Sequence, residues 1–220
     1  MIEYFFNLFV FKTELIRLGG RSGWFVKASL LSEGFNCLSG GAGNDISFER
    51  DLIEKYGVVV DIYDPSPIGR QTCEAFTTLH GSLNYHPLGM TGHTGEMFFS
   101  EPTKDDGESF QATELEDGRR KHRFKCQTLS DILNEKKLIN PCLLKIDIEG
   151  CEYAVLDDLI NKHSELFPQI AVEFHHRLPG MNVWRQRFRT LFLVVRLRIV
   201  GYGLVHKSGG DFTFVKLKYI

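Results

Sequence analysis

Absences narrow the function of this chain first. No stretch approaches the ~20 consecutive apolar residues that cross a bilayer, so no transmembrane segment is expected. The net charge of −2 gives no cationic excess to hold nucleic acid or an anionic membrane mainly by electrostatics. The five cysteines (Cys37, Cys73, Cys126, Cys142 and Cys151) contain no CxxC pair and are odd in number, which disfavours a disulfide framework. Buried free thiols in a reducing compartment are the expectation. There is no internal repeat and no low-complexity tract. With 220 residues, 43% of them hydrophobic, the chain can bury one substantial core, and a single domain over 1–220 is expected.

The N-terminal run Tyr4–Phe11 is too short to span a membrane. It has no basic region before it, contains Asn7, and meets Lys12 without a small-residue cleavage site. A docked helix within a lead-in segment, 1–34, is expected in a soluble, cytoplasmic protein. A membrane-surface role stays open.

Strand and helix patterns then alternate, which points to βαβ units, a mostly parallel sheet and an α/β fold. Phe35–Ser39 reads as a strand running into Gly40-Gly41-Ala42-Gly43. A helix follows from about Asp45 to Tyr56, capped by Asn44 or Asp45 and ended by Gly57. Val58–Tyr63 is a β-branched strand stopped at Asp64-Pro65, and another lies near Leu83–Leu88. The segment 91–123 is polar and charged; it reads as a solvated surface insertion, with an acceptor-covering lid as the alternative. A helix begins at Thr128, and Val155, Leu156, Leu159 and Ile160 mark the inner side of another. Pro168–His176 reads as a further strand. Trp184, Phe188, Leu191, Val195 and Ile199 step by three or four, which predicts a long helix whose arginines line a wet face. Gly201–Val205 and Phe212–Leu217 read as a closing antiparallel hairpin.

A strand, a glycine turn and a helix start make a nucleotide-type pocket, because small residues let a ligand approach the backbone. Asp64 lies 21 positions after Gly43 (64 − 43), at the end of the next strand, where an acid bonds a ribose hydroxyl. A nicotinamide site would want Gly-x-Gly-x-x-Gly, and here Gly41-x-Gly43 is followed by Asn44-Asp45-Ile46. An anionic side chain stands where two phosphates would sit, a repulsion of several kcal/mol at close range. S-adenosylmethionine has no phosphate and carries a sulfonium, so it fits better. The other conspicuous feature is Leu143-Leu144-Lys145-Ile146-Asp147-Ile148-Glu149-Gly150, an apolar strand ending in two carboxylates. In open α/β sheets the ligand crevice lies beyond such strand ends.

These residues resemble the FkbM-like methyltransferases. Lys145-Ile146-Asp147-Ile148-Glu149-Gly150-Cys151-Glu152 resembles the family's K-[IMV]-D-[IV]-E-G-x-E motif. Ser39–Glu49 resembles the glycine loop of its animal and plant branch. Tyr63-Asp64-Pro65-Ser66-Pro67 resembles its second-strand ending, and Val172–His176 its fifth-strand ending. The resemblance implies a Rossmann-like class I methyltransferase sheet, seven-stranded, with helices on both faces. It also implies S-adenosylmethionine as cofactor and methyl transfer to a hydroxyl oxygen. Ser39, Gly41, Gly43, Asn44 and Asp64 would then meet the cofactor, and Asp147 and Glu149 its methyl end. Two departures stand out. Ser39 occupies a position where class I enzymes often carry an acid. The segment Gly19–Val26 lacks the aspartate of the relatives' Asp-Gly-Gly-Tyr-Val.

Candidate groups for proton handling are Asp147, Glu149, Glu173, His175 and His176. Alternation puts Glu173 and His175 on one face and His176 on the other, and one of the two histidines is expected to be structural. Glu149 has a plain alternative as a helix cap. Asp147 and Glu149 could share a divalent cation, but no third ligand is visible, and no metal is expected. The expected acceptor is a sugar, glycan or small hydroxylated molecule. The alternatives are a non-catalytic binding protein of the same fold and a nicotinamide oxidoreductase.

Overall fold

A computed structural model of the chain describes residue 6 and residues 10–21, 23–77, 81–102, 110–112, 119–176 and 182–220. The expected N-terminal helix over Tyr4–Phe11 therefore falls largely outside the described residues. Phe6, within it, is buried and meets the Phe212 ring edge-on at 5.2 Å.

The lead-in forms a small antiparallel hairpin, β1 (Ile16–Leu18) with β2 (Trp24–Val26). β3 (Asn36–Gly40) follows, then helix α1 (Ser47–Tyr56). Asp45 accepts a hydrogen bond from the Ser47 amide at 2.8 Å, so the acid stands just outside the first turn and α1 begins two residues later than the spacing suggested. Gly57 ends α1 in the left-handed conformation, its amide returning to Ile53 and Leu52. β4 (Val59–Tyr63) leads to α2 (Pro67–Thr77), a helix the sequence reading did not mark, and then to β5 (Leu83–His86).

The charged stretch is folded where it is described. β6 (Gly89–Met90), β7 (Gly95–Ser100), β8 (Gln111–Ala112) and β9 (Lys121–Gln127) make a second sheet in the order β6-β9-β7-β8. Helix α3 (Leu129–Glu135) starts at Thr128, whose side chain accepts from the Asp131 amide. β10 (Pro141–Ile146), α4 (Glu152–Lys162), β11 (Gln169–Glu173), α5 (Val183–Ile199), β12 (Tyr202–Ser208) and β13 (Asp211–Lys216) complete the chain.

The main sheet has seven strands in the order β12-β13-β11-β10-β3-β4-β5. β3, β4, β5, β10 and β11 run parallel, and β13 enters antiparallel between β11 and β12. This is the Rossmann-like, mostly parallel sheet with a C-terminal hairpin. Successive strand residues feed opposite layers. Leu38, Leu144, Ile170 and Val172 pack with α3, α4 and α5, while Cys37, Leu143, Ala171 and Val60 pack with α1 and the β1–β2 hairpin. β3 and β10 are parallel neighbours, and the order of strands runs outward in opposite directions from them, so the loops leaving their carboxyl ends border one crevice.

Helix α5 is long, as its periodicity required, but most of the residues that carry the period lie on its outer side. Trp184, Phe188, Val195 and Ile199 point to solvent, and Thr190, Leu193, Val194 and Leu197 face the core. The helix is apolar on two sides, so periodicity located the helix without choosing the buried side.

Candidate active site

The first half of the site is made of backbone. β3 leaves the sheet at Gly40, and Gly41 turns with φ of 85°. A Cβ on Gly41 would stand 1.8 Å from the Asp147 carbonyl oxygen, so only glycine lets the loop lie against the end of β10. Gly43 also has positive φ, 52°, but with nothing within 4 Å of a notional Cβ; there the demand is conformational. Asp64 fastens this loop. Its Oδ2 accepts from the amides of Ala42 at 2.8 Å and Gly43 at 3.1 Å, and its Oδ1 from Ser66 at 2.7 Å. The residue expected at a ribose is thus first the clasp of the glycine loop. A carboxylate offers about four lone-pair sites, which leaves it one for a ligand.

Below the loop lies a buried polar chain. The Ser39 hydroxyl donates to Glu49 Oε1 at 2.7 Å. Lys145 Nζ donates to the Gly41 carbonyl at 2.6 Å and stands 3.7 Å from both Glu49 Oε1 and Asp147 Oδ2. Burial alone would lower the Lys145 pKa, but Glu49 and Asp147 outweigh it and hold the ammonium charged. The chain's Ser39 therefore borrows its acid from Glu49 on α1. The turn of the β1–β2 hairpin is tied to the same helix, with the Gly19 amide on Asp51 at 2.8 Å and the Gly20 amide on Ser47 at 2.7 Å.

The second half is made of side chains. Beyond β10 and β11, Asp147, Glu149, Glu173 and His175 come together. His175 Nε2 lies 3.4 Å from Glu149, 3.8 Å from Asp147 and 3.8 Å from Glu173. Its Nδ1 donates to the fully buried Glu152 at 2.5 Å. Burial would depress the imidazole pKa, yet hydrogen bonds to Glu149 and Glu152 push it up to about 12. The ring is a cation at neutral pH. Glu173 is also raised: burial and the Asp147 charge push it up to about 7, only partly offset by His175. Asp211, at the start of β13, is pushed up to about 6 by burial and by Asp147.

Glu149 has φ of 50°, uncommon for a residue with a Cβ. The N-cap position of the helix that follows is Cys151, with no side-chain cap hydrogen bond, and the Gly150 amide donates to Glu152 at 2.9 Å. His176 also lines the cavity, its ring hydrogen-bonded to Thr190 at 2.8 Å, where Thr190 also meets the Tyr153 hydroxyl at 2.9 Å. Ligand atoms of Asp147, Glu149 and His175 lie within 4.8 Å of one another, so His175 is the third partner that the sequence did not reveal for a cation. A cation there must first displace the proton on Nε2, the imidazole nitrogen that faces Glu149 and Asp147.

Both halves face one cavity of about 730 Å³. Gly41, Gly43, Asn44 and Asp64 form one part of its wall, and Asp147, Glu149, Glu173 and His175 another, the two meeting where Gly41 lies against Asp147. Ser39 is fully buried beneath the loop and is not in the wall. Asn44 is exposed at the rim. Phe99 and Gln111 from the second sheet and Phe110 just before β8 also reach the wall, as does Trp24 from the hairpin. Among the site residues the sequence reading missed are Glu49, Lys145 and Glu152. For Lys145 a signal existed, since a lone cation in an apolar strand needs a buried partner.

The family described as "Methyltransferase FkbM domain" matches residues 34–202. Among solved structures, a crystal structure of a methyltransferase FkbM from Methylobacillus flagellatus superposes with a TM-score of 0.53 at 19% identity, over 86% of this chain and 45% of that one. A putative rRNA methylase from Clostridium thermocellum superposes with a TM-score of 0.48 at 9% identity, over 85% of this chain and 89% of that one. The chain spans less than half the length of the Methylobacillus protein. No curated protein matches it.

Proposed function

The chain belongs to the FkbM methyltransferase family, and we propose that it transfers the methyl group of S-adenosylmethionine to a hydroxyl oxygen of a sugar, glycan or other small molecule. The observation that carries this reading is a single cavity walled by a glycine-loop cradle and a carboxylate–imidazolium cluster. The lining suits such a cofactor: Gly43 leaves open space toward the ligand, and Asp64, Asp147 and Glu149 favour a positive group over a pyrophosphate. When bound, the cofactor supplies a methyl group on a sulfonium, already a good leaving group.

The protein then has two tasks, orientation and proton removal. Orientation of an acceptor oxygen in line with the methyl supplies most of the acceleration. Asp147 and Glu149 accept hydrogen bonds from acceptor hydroxyls. Glu173 takes the proton from the reacting hydroxyl, because a carboxyl titrating near 7 is matched to neutral pH. His175, a standing cation, is unsuited to act as that base. It orients the carboxylates and balances their charge.

Calorimetry with S-adenosylmethionine, its demethylated product and NAD tests the cofactor. Affinity for the first two without NAD binding is expected, and the reverse result overturns the reading. Methyl transfer from labelled cofactor to a panel of glycans and metabolites tests turnover. Cofactor binding with no transfer to any hydroxylated acceptor favours a non-catalytic binding protein.

A further inference from the structure

Helix α5 carries a surface that the cavity does not use. Trp184, Phe188, Phe192, Val195 and Ile199 are 61%, 59%, 63%, 45% and 77% exposed. At 3.6 residues per turn, these five fall in one strip about 80° wide. The core-facing residues lie on the opposite side of the helix. On the same wheel, Arg185, Arg189 and Arg196 border one edge of the strip, and Arg187 and Arg198 the other. The helix holds no acidic residue. Arg187 and Arg196 lie over the rings of Trp184 and Phe192, at 5.9 and 5.8 Å, so the cations frame the aromatic surface. Arg196 is paired with Asp157, and Arg189 and Arg198 lie over the rings of Tyr153 and Phe11. In a chain of net charge −2, this is a local reversal of sign that the total conceals.

We propose that this face of α5 docks the protein on an anionic lipid bilayer. The aromatic strip enters the boundary between headgroups and acyl chains, and the flanking arginines meet lipid phosphates and carboxylates. Large apolar residues in one strip with cations along both edges are the pattern of a helix lying in that boundary. No helix among the described residues is long and apolar enough to cross a membrane, so the mode is surface attachment. A second copy of this chain is a poorer occupant, because an isologous contact would set arginine rows against each other. Arg187 also lines the cavity, so docking would bring the cavity to the lipid surface, within reach of a membrane-borne acceptor.

The test is co-sedimentation of the whole chain with vesicles of phosphatidylcholine alone, and of phosphatidylcholine mixed with phosphatidylserine. Binding only to the mixed vesicles is expected, weakening as salt rises, with a blue shift in Trp184 emission. Trp24 is already buried and should contribute little to that shift. The variant Trp184→Ser/Phe188→Ser/Phe192→Ser should bind mixed vesicles at least about tenfold more weakly. Arg185→Gln/Arg198→Gln, which leaves the strip intact, should lose much of the phosphatidylserine preference. Cofactor binding, measured separately by calorimetry, should match wild type in both variants, so failure here is distinguishable from failure of the methyltransferase reading. Absence of binding to either vesicle, or equal binding by the triple variant, overturns the proposal. A concentration-dependent dimer abolished by the triple variant also overturns it and gives the face to a second copy.

Discussion

The two parts of the cavity wall reach order by different means. In the glycine part, the ligand-facing groups are backbone, and Asp64 accepts three backbone amides to hold them. In the other they are side chains, held by charge around His175. A backbone cradle has one conformation and no titration. A charge cluster can gain or lose protons and shift with its ligand. The difference suits a site where one partner is always the same molecule and the other undergoes chemistry.

The largest expected effect comes from breaking both parts at once. Gly41→Ala would drive a methyl group into the Asp147 carbonyl in a backbone conformation that alanine resists. A loss of about 4 kcal/mol or more in urea denaturation is expected. Wild-type stability would show that the loop and the end of β10 do not touch as described.

Asp64→Ala breaks the cradle alone. Three amides lose a charged acceptor, at a cost of about 3 kcal/mol, and cofactor affinity should fall at least tenfold. If the variant stays stable yet loses affinity, Asp64 is more a ligand than a clasp.

Glu152→Gln breaks only the cluster. The imidazolium loses one of the two carboxylates that hold its proton. Turnover should drop by about a hundredfold, with cofactor affinity within about twofold of wild type. Equal losses in both quantities would mean the two parts are one cooperative unit.

The pH response sharpens the contrast. With Glu173 as base, turnover should rise as pH passes about 7, and Glu173→Gln should flatten that limb. Stability has the opposite sign. The folded carboxyls of Glu173 and Asp211 are raised above their ordinary values, so the native state holds protons more tightly than the unfolded chain. Their contribution is fully present below about pH 4 and is lost as pH rises to about 7. Thermal melts across that range should show the decline.

The smallest effect is Glu149→Gly. Glycine relieves the positive φ and removes one charge from a crowded group of acids. Stability should hold or rise by up to about 1 kcal/mol while turnover falls. A clear loss of stability would mark Glu149 as a scaffold residue.

The sequence displayed the central strands well, because β3, β4, β10 and β11 are covered on both faces and read as apolar runs. It concealed α2, whose first turn holds Pro67 and Gly69 and whose apolar positions are few. It also concealed the second sheet, since the charges of 101–123 swamp the alternation around Met97 and Phe99. For the site, positions were legible where chemistry coincides with a strand end, as at Asp147, Glu173 and His175. Partnerships were not. Glu49 reads as an acid in a helix's first turn, Glu152 as another, and only the packing of α1 and α4 against the strand ends turns them inward. Helix α5 failed in a further way, because two apolar sides gave periodicity two answers.

The five thiols carry a practical consequence. All are free and buried, and burial pushes Cys73 and Cys142 up to about 12 and Cys126 up to about 11. An alkylating reagent should find no reactive sulfur on the native protein, so each thiol becomes a clock for the opening of its own neighbourhood. Cys126 times the small sheet, Cys151 the turn into α4, and Cys37 with Cys142 the middle of the main sheet. Their order of labelling would map which part of the molecule loosens first, with no probe added.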